Sequence, residues 1–143
     1  MRTNEPFRLQ PTDGHITITA GYTPTVNIHE PDSTYCRYYW LPEIGPSAYL
    51  LFVLANAWMP ADDDASITVN YDELAHSVGT APGRLAKSLQ RLAGFHLAHT
   101  LPDHPATLYL KRRAPTLNDN QLARLALRCP TAVSCHDDLR HVA

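Results

Sequence analysis

Length, composition and charge set the first limits. The chain has 143 residues, 44% of them apolar and 18% charged, which fits one globular domain that buries about two-thirds of its unfolded surface and needs no disulfide or metal staple. A formal charge of −2 with eight neutral histidines excludes a uniformly basic nucleic-acid binder, and 12 prolines break the chain ends into short segments.

The charge is unevenly spread. Residues 1–83 hold 3 Lys/Arg and 10 Asp/Glu, a balance of −7. Residues 84–113 hold six bases (Arg84, Lys87, Arg91, Lys111, Arg112 and Arg113) against Asp103 alone, a balance of +5. Residues 114–143 are balanced. Such a layout can aim one face at a polyanion. MRTNEPFRLQPTDG has no signal-peptide core. The longest apolar run, AYLLFVLANAW, is too short for a bilayer. Cys36, Cys129 and Cys135 follow no framework spacing. The expected setting is therefore the cytoplasm, with reduced thiols and no membrane partner.

In chain order, HITITAG (His15 to Gly21) and TVNIHE (Thr25 to Glu30) alternate around a Tyr22-Thr23-Pro24 turn, which predicts an N-terminal β-hairpin. YCRYYWLP (Tyr35 to Pro42) reads as a strand, or as an aromatic clamp on the core. A helix from Pro46 to Met59, stopped by Pro60 and apolar nearly all round, reads as central. ADDDA is an acidic loop, and SITVN (Ser66 to Asn70) a short strand with Ile67 and Val69 on one side.

Asn70 then reads as an N-cap, with Glu73 at the capping-box spacing. Leu74, Ala75 and Val78 give a helix of roughly two turns, and Gly79 ends it where a left-handed conformation is cheap. Thr80 reads as the cap of the next helix and Pro82 as part of its first turn. In that second helix Leu85, Leu89 and Leu92 point inward, with Arg84, Lys87, Ser88 and Arg91 opposite. FHLAHTL (Phe95 to Leu101) and ATLYLKR (Ala106 to Arg112) follow as two strands around PDHP. PTLNDNQLARLALR (Pro115 to Arg128) predicts a helix using Leu122, Leu125 and Leu127, and Thr131 to Val142 a last one.

Helix, strand, helix, turn, helix, strand, loop, strand is the pattern over residues 46–113. Those residues, and above all YDELAHSVGTAPGRLAKSLQRLAGFHLA (Tyr71 to Ala98), resemble the winged helix-turn-helix superfamily of bacterial transcription factors. The chain also resembles small helix-turn-helix proteins of actinobacteria and their phages. The resemblance implies an α+β fold in three parts: an N-terminal extended or β-hairpin arm (1–45) packed on the core, a winged helix-turn-helix domain (46–113), and a C-terminal helical extension (114–143).

It also implies sequence-specific binding of double-stranded DNA, as in a transcriptional regulator. The helix at 81–93 would lie in the major groove and the wing at 96–113 on the backbone or in a minor groove. Thr80, Gly83, Arg84, Lys87 and Ser88 form the contact set there. Arg84 is placed to read guanine, and Lys87 and Arg91 to hold phosphates. His104, Lys111, Arg112 and Arg113 belong to the wing. One copy presents modest charge, so a homodimer is expected. The alternatives are a winged helix that docks protein through Tyr38, Trp40 and the first hairpin, or a mobile-element replication or partition factor with the same DNA chemistry.

Catalysis is not expected. Cys129 and Cys135 lie six apart, with His136 and His141 nearby, too loose for a zinc knuckle. Asp62, Asp63 and Asp64 lack calcium-loop spacing. No phosphate-loop, dinucleotide, serine-elbow or zinc-protease motif occurs. Neither cofactor nor metal is implied.

Overall fold

The structure, a computed structural model, describes residues 7–135, with side chains through residue 133. Its elements are β1 (His15–Ala20), β2 (Ile28–His29), a π-helical segment Cys36–Trp40 that runs into α1 (Leu41–Ile44), α2 (Pro46–Trp58), β3 (Ser66–Asn70), α3 (Tyr71–Val78), α4 (Pro82–Gly94), β4 (Ala98–Leu101), β5 (His104–Leu110), β6 (Ala114–Pro115), α5 (Asp119–Arg128) and α6 (Pro130–Cys135). The architecture is α+β, with a four-stranded sheet ordered β3-β1-β5-β4 and a separate β2-β6 pair.

Alternation in β1 buries Ile16 and Ile18 at 1% and 0% exposure and leaves its threonines half-buried on the other side. β1 runs antiparallel to β3, with Ile18 opposite Ile67, and parallel to β5, with Ile18 opposite Leu108. This overturns the expected N-terminal hairpin. Thr25 to Glu30 does not pair with β1 but contributes β2, whose Ile28 and His29 face Pro115 and Ala114 of β6. The physical reason is burial. Val26 stays 68% exposed, so the second segment has too little apolar surface to compete with two full strands for the flanks of β1.

The Tyr35 to Pro42 stretch is helical rather than extended. Pairs at i and i+4, Tyr35 with Tyr39 and Cys36 with Trp40, put four side chains into the core, a spacing that the surrounding run of aromatics disguises as alternation. The clamp half of that expectation holds. Trp40 is 2% exposed and its Nε1–H donates to the Pro115 carbonyl at 2.8 Å. Tyr35 stacks on His29 at 3.8 Å between ring centroids.

The middle of the chain follows its pattern closely. α2 begins at Pro46 and ends before Pro60, burying Ala48, Tyr49, Leu51, Phe52 and Ala55. The Asn70 side chain accepts from the Glu73 N–H at 2.9 Å. Gly79 has φ +82°, the left-handed region where a Cβ is costly, and its N–H closes α3 onto Ala75 and His76. Ala81, not Thr80, occupies the cap of α4 and makes no side-chain bond; Pro82 follows in the first turn. β4 and β5 form the expected hairpin.

At the other end, a capping box of Asn118 and Gln121 starts α5. Leu125 of α5 is buried, but Leu127 is 84% exposed because it lies on the opposite side of the helix from Leu125. The Cys135 side chain, His136, His141 and the remainder of the expected last helix lie outside the described residues. Replacing Ile18 with Ala lowers the unfolding free energy by about 2–5 kcal/mol in urea titrations, the cost of a large-to-small change in a filled core. A loss below about 0.5 kcal/mol, the scale of surface substitutions, would mean that β1 is a detachable arm.

Candidate nucleic-acid interface

α4 is fixed by Leu85, Leu89 and Leu92, all 1% exposed or less, packed in the core shared by the sheet and the other helices. Outward it presents Gly83, Arg84 and Lys87, all exposed. Neither cation has a hydrogen-bond or ion-pair partner among the described residues. The first turn of α4 carries no acid. A Cβ on Gly83 would meet nothing within 4 Å, so the backbone there is uncovered by the rest of the described chain.

Ser88 is a correction to the expected contact face. It is 8% exposed and belongs to the inward stripe, three residues after Leu85 and four before Leu92. Thr80, Arg84 and Ser88 line one open groove of about 630 Å³, together with Ser47, His76, Gly79, Ala81 and Pro82. Periodicity gave no reason to join Ser47 or His76 to this group, because they come from the start of α2 and the end of α3.

The other cations do not converge there. Arg91 Nε donates to the Ile44 carbonyl at 2.6 Å and an Nη to that of Glu43 at 3.3 Å, closing the end of α1. Its guanidinium also sits 5.8 Å from the Phe95 ring centroid. Arg112 donates to the Pro60 carbonyl at 2.6 Å and to both Asn56 oxygens at 3.2 and 3.3 Å. Positive charge at the carbonyl end of α2 is also favourable to the helix dipole. Arg113 pairs with Glu30 at 2.7 Å and approaches Asp63 at 4.0 Å.

On the hairpin, His104 is exposed at the start of β5, opposite Leu101 across the turn. Lys111 is half-buried, and loss of solvent pushes its amine below the usual lysine range. His99 stacks on Tyr109 at 5.0 Å. Burial first, and Lys111 second, push the His99 imidazole down. A cation that the sequence pattern missed is Arg8. Its backbone N–H donates to Thr100 Oγ1 at 3.0 Å, and the Gln10 N–H to the Pro105 carbonyl at 2.7 Å, so the N-terminal segment lies along the hairpin.

Cys36 is buried in the core, which pushes its thiol up to about 11. No cluster of three or more His, Cys, Asp or Glu among the described residues has the arrangement to hold a metal ion. No helix among them is long and apolar enough to cross a membrane. Comparison of the chain with protein-family models, curated proteins and solved structures gives no match. The two kinds of cation differ in what they do for stability. Arg112→Ala costs about 1–3 kcal/mol of unfolding free energy, because helix-end oxygens lose their donors, whereas Lys87→Ala stays within about 0.5 kcal/mol. Equal losses in thermal and urea melts would erase that division.

Proposed function

We propose that this chain is a winged helix-turn-helix protein that binds double-stranded DNA sequence-specifically, as a transcriptional regulator does. The observation that carries this reading is the outer face of α4. Arg84 and Lys87 stand exposed, without a partner among the described residues, on a helix locked from behind by three buried leucines, and a β-hairpin follows directly. α4 would enter the major groove with Arg84 toward base edges and Lys87 toward phosphate. The hairpin, with His104 and Arg8, would lie along the backbone.

Arg91, Arg112 and Arg113 act as internal struts on this reading, so the phosphate contacts per chain are few. A homodimer would double them and would add the spacing of two half-sites to the selectivity. A replication or partition role on a mobile element would use the same contacts. Protein docking is the second reading, favoured by the loop that holds Tyr22 and Val26 at 80% and 68% exposure. Its aromatic part is weaker, because Trp40 is buried.

Selection from a random duplex pool, followed by fluorescence anisotropy across a salt series, tests the proposal. Arg84→Ala loses about 1–3 kcal/mol on the selected site and relaxes preference at one position. Lys87→Ala weakens all duplexes alike and lowers the salt slope by about 1. Absence of salt-dependent binding to any duplex would remove the DNA reading and leave protein docking.

A further inference from the structure

The groove beside the turn of residues 79–81 has a chemistry of its own. Two 13-residue helices, α2 and α4, begin on its rim, through Ser47 and through Ala81 and Pro82. Each opens with proline and lacks a side-chain cap, and neither has an acid in its first turn. Both therefore bring the positive ends of their dipoles to the rim of the same groove. The lining includes Arg84, His76, Ser47, Thr80 and Ser88 and, among the described residues, no acid. At the end of α3 the Gly79 and Thr80 N–H groups donate to the His76 and Ala75 carbonyls.

Ser88 is the second, independent sign. It is 8% exposed and has no hydrogen-bond partner among the described residues. Among those residues, every buried side-chain oxygen that is fully enclosed has a partner. The Ser88 oxygen is thus not sealed in, and the opening it has is the groove that it lines. A largely buried hydroxyl with no protein partner is left to meet whatever enters the groove, water or a ligand oxygen.

We infer that this groove is a phosphate-binding seat, in which Ser88, Ser47 and Thr80 donate to the phosphate oxygens between the two helix N-termini. The phosphate belongs either to a duplex backbone or to a free phosphorylated ligand. In the first case the inference rests on the DNA-binding reading above; in the second it stands without it.

Titration of the isotope-labelled full chain with inorganic phosphate, at constant ionic strength, reads the seat through amide chemical shifts. Saturable shifts are expected at Ser47, residues 79–85 and Ser88, with chloride producing none. Ser88→Ala weakens binding by about tenfold, the scale of a lost hydrogen bond to a charged group. Ala81→Asp should fold at least as well, because it supplies the missing cap, yet should abolish phosphate binding by placing a carboxylate in the seat.

A duplex arm identifies the source. If Ala81→Asp also weakens duplex binding and free phosphate competes with it, the occupant is a backbone phosphate. If duplex binding is unchanged while phosphate binding is lost, the occupant is a free ligand. Phosphate binding by a chain that binds no duplex keeps the seat and removes the DNA reading. Unsaturable or scattered shifts, or an Ala81→Asp chain that binds phosphate like the parent, overturn the seat even where duplex binding persists.

Discussion

The interaction on which the rest depends is the pairing of His15–Ala20 on both of its edges. The strand takes Ser66–Asn70 on one side and His104–Leu110 on the other, and its isoleucines disappear into the core. Ser66–Asn70 continues without a break into the helix Tyr71–Val78, whose first N–H donates to the Gly14 carbonyl at 2.8 Å. His104–Leu110 is half of the hairpin. One N-terminal strand therefore sets the two exposed elements, the helix pair and the hairpin, in a common frame. The proposed DNA contact, shared between the helix pair and the hairpin, would need that frame.

The second organising fact is the division of labour among arginines. Three of those that stand out in the sequence end on backbone carbonyls or on acids of neighbouring segments. Arg124 and Arg128 of the C-terminal helix do the same for Glu43, at 3.5 and 2.6 Å, although that carboxylate is 3% exposed. Burying Glu43 is costly unless both partners stay in place, so the C-terminal helix is tied to the segment before Pro46 by more than apolar contact. The same guanidinium that suits a phosphate also suits a helix end, and sequence position alone does not say which it meets.

That ambiguity explains which features were legible. Elements defined by local chemistry could be read directly: the Asn70 cap, Gly79 in the left-handed region, the leucine stripe of Pro82–Gly94, and the proline-bounded central helix. Long-range features could not. The alternation of HITITA marks a strand but carries no information about its partners, so a tight turn to the next segment is the simplest expectation. Tyr35 to Trp40 was obscured because aromatics crowd both helical and alternating positions. The polarity of Ser88 suggests an outward side chain, although its spacing from Leu85 and Leu92 puts it inward. The groove was illegible for a plainer reason: its lining comes from the starts of two helices and the end of a third, three places that only the fold brings together.

Amide hydrogen exchange on the free chain tests the shared frame most directly. The Ala20 and Gly21 N–H groups, bonded to Ala65 and Leu110, and the Lys111 N–H, bonded to Leu97, report the two sides of the central strand and the root of the hairpin. All three should exchange in the slowest class, at the free energy of global unfolding. Fast local exchange at Ala20 and Gly21, with Lys111 and the core helices still protected, would show that the N-terminal strand comes away by itself and that helix and hairpin are not held together by it.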